Sequence, residues 1–220
     1  MRRHREEEAP PTGMPRAPHP LAEIVEEAIE AINHADVSLE PTIEGGKVIA
    51  LKIFSLDGNS VPDLAPLAAL ADLKVLYSYV RGVRDLDWLR GLPIEHLQLE
   101  HGSLKDLGPI RESKIRWLDL DFPEGPPADY AALAGLPLQS LSLQNCPISD
   151  FSFMRGMPLN RLVLKGTKLS DFSALREFPL VEADLDLPPG GDLPMLLAIP
   201  TLKKLNGRPI EEYRRAMAPK

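Results

Sequence analysis

Cysteine is almost absent from this chain: Cys146 is the only one in 220 residues. No intrachain disulfide can form and cysteine alone cannot build a zinc site. The fold must therefore be held by its core, and nothing requires an oxidising compartment. Aromatic residues are scarce, at 5%, so the core has to be aliphatic. No apolar run approaches the ~18 residues of a membrane-crossing helix. The opening Met1-Arg2-Arg3-His4-Arg5 is not followed by the apolar stretch that a secretory or twin-arginine signal carries. The expectation is a cytoplasmic protein with no membrane attachment. Basic residues are outnumbered, 25 Lys and Arg against 32 Asp and Glu, for a net charge of −7. That balance argues against nucleic acid as partner, because duplex affinity comes largely from neutralising phosphates with Lys and Arg.

Catalytic signatures are missing too. There is no G-x-S-x-G, no phosphate-binding glycine loop and no dinucleotide fingerprint. Of the five histidines, His96 and His101 are closest in sequence among those in the body of the chain, but five residues apart across a strand end they share no obvious site. The reading is no enzyme, no metal and no cofactor.

What the chain does have is a ruler. Seven times an Asp is followed by an apolar residue and, three positions on, by another: Asp63, Asp85, Asp106, Asp129, Asp150, Asp171 and Asp192, at intervals of 22, 21, 23, 21, 21 and 21 residues. A steady period of this size is the mark of a solenoid. A second column keeps step with it. The pattern L-x-x-L-x-L recurs with central residues Leu51, Leu76, Leu97, Leu118, Leu141, Leu162, Ala183 and Leu205. Each unit thus reads as a short strand, a bend, a short helical turn capped by Asp, and a return. Asp suits the cap because its carboxylate accepts backbone N–H groups that the first turn leaves unbonded. Pro66, Pro109 and Pro194 fall inside that first turn, where a missing N–H matters little. Metal binding by the Asp column is the competing reading, but one Asp per ~21 residues is far sparser than calcium-binding coils require.

Residues 1–20 are charged and then proline-rich, and predict a disordered or extended arm. Leu21 to Asn33 predicts a capping helix, with Leu21, Ile24, Val25, Ala28, Ile29 and Ile32 on one stripe. A turn at Gly45-Gly46 closes that entry segment, 21–46. The solenoid then runs over 47–207, and 208–220 form a C-terminal capping helix and tail.

The leucine and Asp columns, the Glu-rich entry helix before Thr42–Val48 and the tail Leu202–Tyr213 with its Asn206-Gly207 turn together resemble a bacterial leucine-rich-repeat family of the short-repeat, internalin-like type. The resemblance covers roughly residues 21–215. It implies an α/β solenoid with about eight short parallel strands on the concave face, short helical turns on the convex side, helical caps at both ends and protein–protein recognition as the role. A departure is the ninth repeat position, often Asn in longer repeats but here Gly102, Cys146 or Thr167. No Asn ladder is expected there, and Cys146 should pack as a small buried group.

The residues flanking the strand leucines face the concave surface. They form three columns, the first with His96, Trp117, Ser140, Arg161 and Glu182, the second with Tyr77, Gln98, Asp119 and Ser142, the third with Phe54, Tyr79, Glu100, Asp121 and Gln144. Tyr77, Tyr79, His96 and Trp117 gather on adjacent coils beside Gln98, Glu100, Asp119 and Asp121. Aromatics ringed by charge have the composition of binding hot spots. These eight residues are the candidate site for a protein partner with a basic or aromatic surface. Ordinary cross-strand packing of aromatics is the plain alternative, and Arg161 and Lys165 are expected to pair with Asp184 and Asp186. A non-catalytic inhibitor, immunity-type or scaffold protein is the second functional reading, and a small hydrolase a distant third.

Overall fold

Strands arise where apolar and polar residues alternate at the repeat spacing. Val75–Tyr79, His96–Glu100, Trp117–Asp121 and Ser140–Gln144 each send Leu or Ser inward at every second position. In the computed structural model of the chain, which describes residues 27–32, 36–55, 63–100, 104–121, 129–146, 148–169, 171–187 and 193–217, these strands stack in sequence order into one ten-stranded sheet. The strands are β1 (Val37–Glu44), β2 (Lys47–Ser55), β3 (Val75–Tyr79), β4 (His96–Glu100), β5 (Trp117–Asp121), β6 (Ser140–Gln144), β7 (Arg161–Val163), β8 (Glu182–Asp184), β9 (Lys204–Leu205) and β10 (Arg208–Pro209).

The eight strands from β2 to β9 are parallel, each hydrogen-bonded to the next. Their pairing sets Leu51, Leu76, Leu97, Leu118, Leu141, Leu162, Ala183 and Leu205 opposite one another in a single row. That row is the register read from the repeat, and every member is buried. A one-residue slip on any strand would turn its leucines out to solvent.

The other half of each unit is a tight 3-10 turn: η1 (Ala65–Ala69), η2 (Asp87–Leu89), η3 (Gly108–Ile110), η4 (Ala131–Leu133), η5 (Ser152–Met154) and η6 (Ser173–Glu177). The apolar pair after each Asp brackets the turn. The N–H of Leu67, Leu89, Ile110, Leu133, Met154 and Leu175 donates to the carbonyl of Leu64, Leu86, Leu107, Tyr130, Phe151 and Phe172 respectively, and all twelve residues are buried. The Asp role needs a correction. The N-cap is the apolar residue after the Asp, and it makes no side-chain cap. The carboxylate instead accepts the N–H two residues on, from Ala65, Gly108, Ala131, Ser152 and Ser173 at 2.7–2.9 Å. This is an Asx-turn that delivers the chain into the helix rather than a cap within it. Asp85 departs from the pattern: its carbonyl accepts the Trp88 indole N–H at 3.2 Å. Asp192 lies outside the described residues. Gly91, Gly135 and Gly156 take φ of +79 to +80° just after their turns, where a side chain would be strained.

The ends close differently from the middle. Residues 27–32 form helix α1, whose Ala28 and Ile32 join the core. Between it and the first coil lies a strand that the sequence does not announce: β1 pairs antiparallel with β2 around Gly45-Gly46. With Ser38, Glu40, Pro41 and Glu44 it has little strand propensity of its own, and β2 supplies the pairing. At the far end come helix α2 (Leu193–Leu197), then β9 and β10 paired antiparallel through Asn206-Gly207. Helix α3 (Ile210–Met217) follows, with Ile210 buried against the last coil. The arm expected over 1–20, residues 122–128 and 188–192, and His101 and Gly102 fall outside the described residues.

Candidate functional site

Because the leucines fill one side of the sheet, the alternate residues of every strand are carried to the other, concave, side. The pairing aligns His96, Trp117, Ser140, Arg161, Glu182 and Lys204 in one row. Tyr77, Gln98, Asp119, Ser142, Val163 and Asp184 form a second. Glu100, Asp121 and Gln144 form a third. All eight sequence-predicted site residues therefore share β3, β4 and β5 on a single face.

Two aromatic pairs frame the patch. Tyr79 stacks on Phe54 with ring centroids 5.0 Å apart and planes 7° from parallel. Phe54 stands in the same column one coil earlier and belongs with the cluster, which sequence reasoning left at four aromatics. His96 and Trp117 meet at 5.3 Å with a 58° tilt. Trp117 is 44% exposed, one of three large hydrophobic side chains so placed among the described residues. By contrast Trp88 is buried on the turn side.

The acidic residues stand on the same two strands as His96 and Trp117, further along them. Glu100 and Asp121 sit directly opposite each other on neighbouring strands, an arrangement of like charges that destabilises a sheet. Each is tempered by an amide: Gln98 Nε2 donates to Glu100 Oε1 at 2.9 Å, and Asn145 Nδ2 donates to Asp121 Oδ1 at 2.9 Å. Among the described residues no Lys or Arg lies within ion-pair distance of Glu100, Asp119 or Asp121. Burial pushes the Asp119 carboxyl above its ordinary range, opposed by the Ser142 hydroxyl and by the more distant Arg161. The Tyr79 phenol is also raised, first by burial and then by the negative charge of Glu100.

The later coils look different. Arg161 pairs with Glu182 at 3.6 Å, and Lys204 reaches the same carboxylate at 2.6 Å, so the partner of Arg161 is Glu182 rather than Asp184. The Lys204 hydrogen bond, with Arg161 behind it, holds Glu182 below the usual carboxylate range. Lys165 joins no ion pair among the described residues, and Asp186 accepts the Gly166 N–H at 2.7 Å. Between the two regions the face steps inward: Ser140 and Ser142 are buried, and the Ser140 hydroxyl has no hydrogen-bond partner.

A short polar chain at the strand ends supports the patch. Asn145 takes a left-handed φ of +57°. Its backbone N–H donates to the Lys165 carbonyl at 2.8 Å while its side chain holds Asp121. Cys146, next to it, is buried as expected. The burial of Tyr130, with its phenol against that thiol, raises the phenol strongly. The clefts on the turn side, such as one of about 270 Å³ lined by Phe151, Met154, Leu175 and Phe178 beneath Asp150 and Asp171, lie in the grooves between successive turns. Among the described residues no group of three or more His, Cys, Asp or Glu could hold a metal ion. No helix there is long and apolar enough to cross a membrane.

The row of aligned leucines, one per ~21-residue coil, decides the architecture. The fold is a leucine-rich-repeat solenoid. Internalin C2 from Listeria monocytogenes str. 4b F2365 has a similar structure, with a TM-score of 0.58 and 24% identity over 84% of this chain and 80% of that one. No family model matches the chain, and no curated protein matches it. The likeness to the leucine-rich-repeat solenoid of internalin C2 is one of fold.

Proposed function

We propose that this leucine-rich-repeat solenoid is a protein-recognition module. Its partner binds the concave patch of Tyr77, Tyr79, His96, Gln98, Glu100, Trp117, Asp119 and Asp121, and brings a basic or aromatic surface to it. Solenoids of this kind work as extended binding surfaces. The observation that carries the reading is the coincidence of an exposed Trp117 with three carboxylates that have no Lys or Arg within ion-pair distance among the described residues. Elsewhere on the same face, at Glu182, the chain supplies that cation itself. Cross-strand packing accounts for the Phe54–Tyr79 stack, but it gives no reason for Trp117 to stand in water beside acids that make no ion pair among the described residues. A non-catalytic role and a cytoplasmic setting belong to this reading.

The test is affinity capture from extract of the native cell, comparing the parent chain with Trp117→Ala and with Tyr77→Ala. Both changes leave the buried leucine row untouched, so both variants should melt with the parent. A stoichiometric partner retained by the parent and lost by either variant supports the reading. A partner retained equally by all three rules out this patch.

A further inference from the structure

Resting on that reading, the geometry points to a narrower one: we infer that the patch is built to seat an arginine side chain, presented by a segment of the partner protein. The guanidinium would stack on the Trp117 indole and be hydrogen-bonded by Asp119, with Glu100 and Asp121 supplying the surrounding negative field.

Three observations converge. The first is charge. Glu100, Asp119 and Asp121 stand on two adjacent strands without a Lys or Arg in ion-pair reach among the described residues, and Glu100 faces Asp121 directly. A cation placed over them relieves that repulsion. The second is shape. Trp117 and Asp119 lie two residues apart on one strand, so their side chains rise side by side about 7 Å apart. A planar group lying on the indole extends from the ring to the carboxylate. Guanidinium is planar, stacks on aromatic faces and carries five donors in a fixed fork. An ammonium is a compact point charge with strong hydration.

The third observation is an orphan acceptor. Ser140, next to Trp117 in the same row, is 5% exposed and its hydroxyl has no partner. It lies between Trp117 and Arg161, and Arg161 is itself drawn away towards Glu182. A buried hydroxyl is normally satisfied. The oxygen is closed off from solvent, so a guanidinium N–H completes it once the exposed Trp117 indole turns aside. The Gln98 amide holds Glu100, the Asn145 amide holds Asp121 and the Ser142 hydroxyl holds Asp119; of the three, Asp119 is the next concave-face residue after Trp117 on the same strand, within reach of a group lying on the indole.

The test uses the full chain labelled with nitrogen-15 and follows the two indole N–H signals, assigned with Trp117→Phe. The probes are three blocked peptides, acetyl-Gly-Arg-Gly-Arg-Gly-amide and its lysine and citrulline counterparts. Citrulline keeps the shape of arginine and removes the charge. The arginine peptide should shift the Trp117 signal saturably and leave the buried Trp88 signal in place. It should bind at least about tenfold more tightly than the lysine peptide, and the citrulline peptide should give no saturable shift. Asp119→Asn should weaken the arginine peptide at least about fivefold with Trp88 unmoved, which also shows that the variant is folded. Equal affinities for arginine and lysine, or no saturable shift with arginine, would overturn the inference. A photoreactive amino acid in place of Gln98 separates this failure from that of the broader reading. Cross-links to a partner segment without arginine sink the arginine seat alone. Cross-links from this position to the chain's own Arg2, Arg3 or Arg5 make the occupant internal and refute a partner-supplied arginine.

Discussion

Gly166 gives the sharpest test of how the strand ends are built. It has φ +74°, and a Cβ placed there would lie 2.5 Å from Asn145 Oδ1, 2.9 Å from Asn145 Cα and 3.0 Å from Asn145 N. The first of these contacts can be relieved by a side-chain movement, but the other two are backbone. Gly91 is the natural control. Its φ is +80°, and a Cβ there meets nothing within 4 Å. Both Gly→Ala changes carry the same conformational penalty, roughly 1 kcal/mol for a side chain in the left-handed region. Only Gly166→Ala adds a clash with main chain, which by the magnitudes typical of overpacking contributes about 1–3 kcal/mol more. The expected result in urea unfolding is therefore a loss of about 1 kcal/mol for Gly91→Ala and about 2–4 kcal/mol for Gly166→Ala, with unchanged slopes. The consequence reaches the recognition face. Asn145 donates through its backbone to Lys165 and through its side chain to Asp121, so displacing it should loosen Asp121 and alter binding at a distance of one coil. Equal losses for the two variants would refute the close approach of the two loops.

Further expectations follow from the core and from the carboxylates. Leu141→Asp puts an unpaired charge into the middle of the buried leucine row and should cost about 4 kcal/mol or more; a variant that melts like the parent would mean that the row is misassigned. The carboxyl of Asp119 is raised in the folded chain, with burial as the main cause. The folded state therefore holds its proton more tightly than the unfolded state. The penalty for ionising it is full above the folded value and fades as pH falls towards the unfolded one. Asp119→Asn should accordingly be more stable than the parent at neutral pH, and the gain should vanish in acid; thermal melts across pH 3–8 measure this. Asp150 and Asp171 behave in the opposite sense. The backbone N–H groups of Ser152 and Ser173 hold them below the usual range, so what they contribute is present above the unfolded value and is lost as pH falls through the folded one. Carbon-detected NMR titration should find both titrating below an exposed Asp.

The repeat made much of this legible. A strand leucine and an Asp in constant phase fix which residues share a face, and that is why Tyr77, His96 and Trp117 could be placed together without coordinates. Features that depend on partners rather than on phase stayed hidden. Strand β1 carries Pro41 and four polar residues, Ser38, Glu40, Thr42 and Glu44, and only pairing with β2 makes it a strand. The Asp residues sit one position upstream of the cap because the turns are 3-10, tighter than the α-helical turns for which an Asp cap is the familiar signal. The hold of Asn145 on Asp121 depends on a left-handed residue 24 positions away in sequence, which no local pattern marks. Likewise the contrast between an exposed Trp117 and a buried Ser140 beside it is seen only once the two strands are side by side.

The two terminal hairpins bear on a hazard specific to this architecture. A stack of parallel strands has no inherent stopping point, since each coil offers the next the same unpaired backbone. Here the outermost strand at each end contains a proline, Pro41 in β1 and Pro209 in β10, and each runs against the direction of the array. Proline removes a ladder donor, and the reversed strand presents the wrong polarity for another parallel coil. Both edges of the sheet are thereby blunted against the addition of a further strand, so the leucine row that gives the chain its length also has a limit at each end.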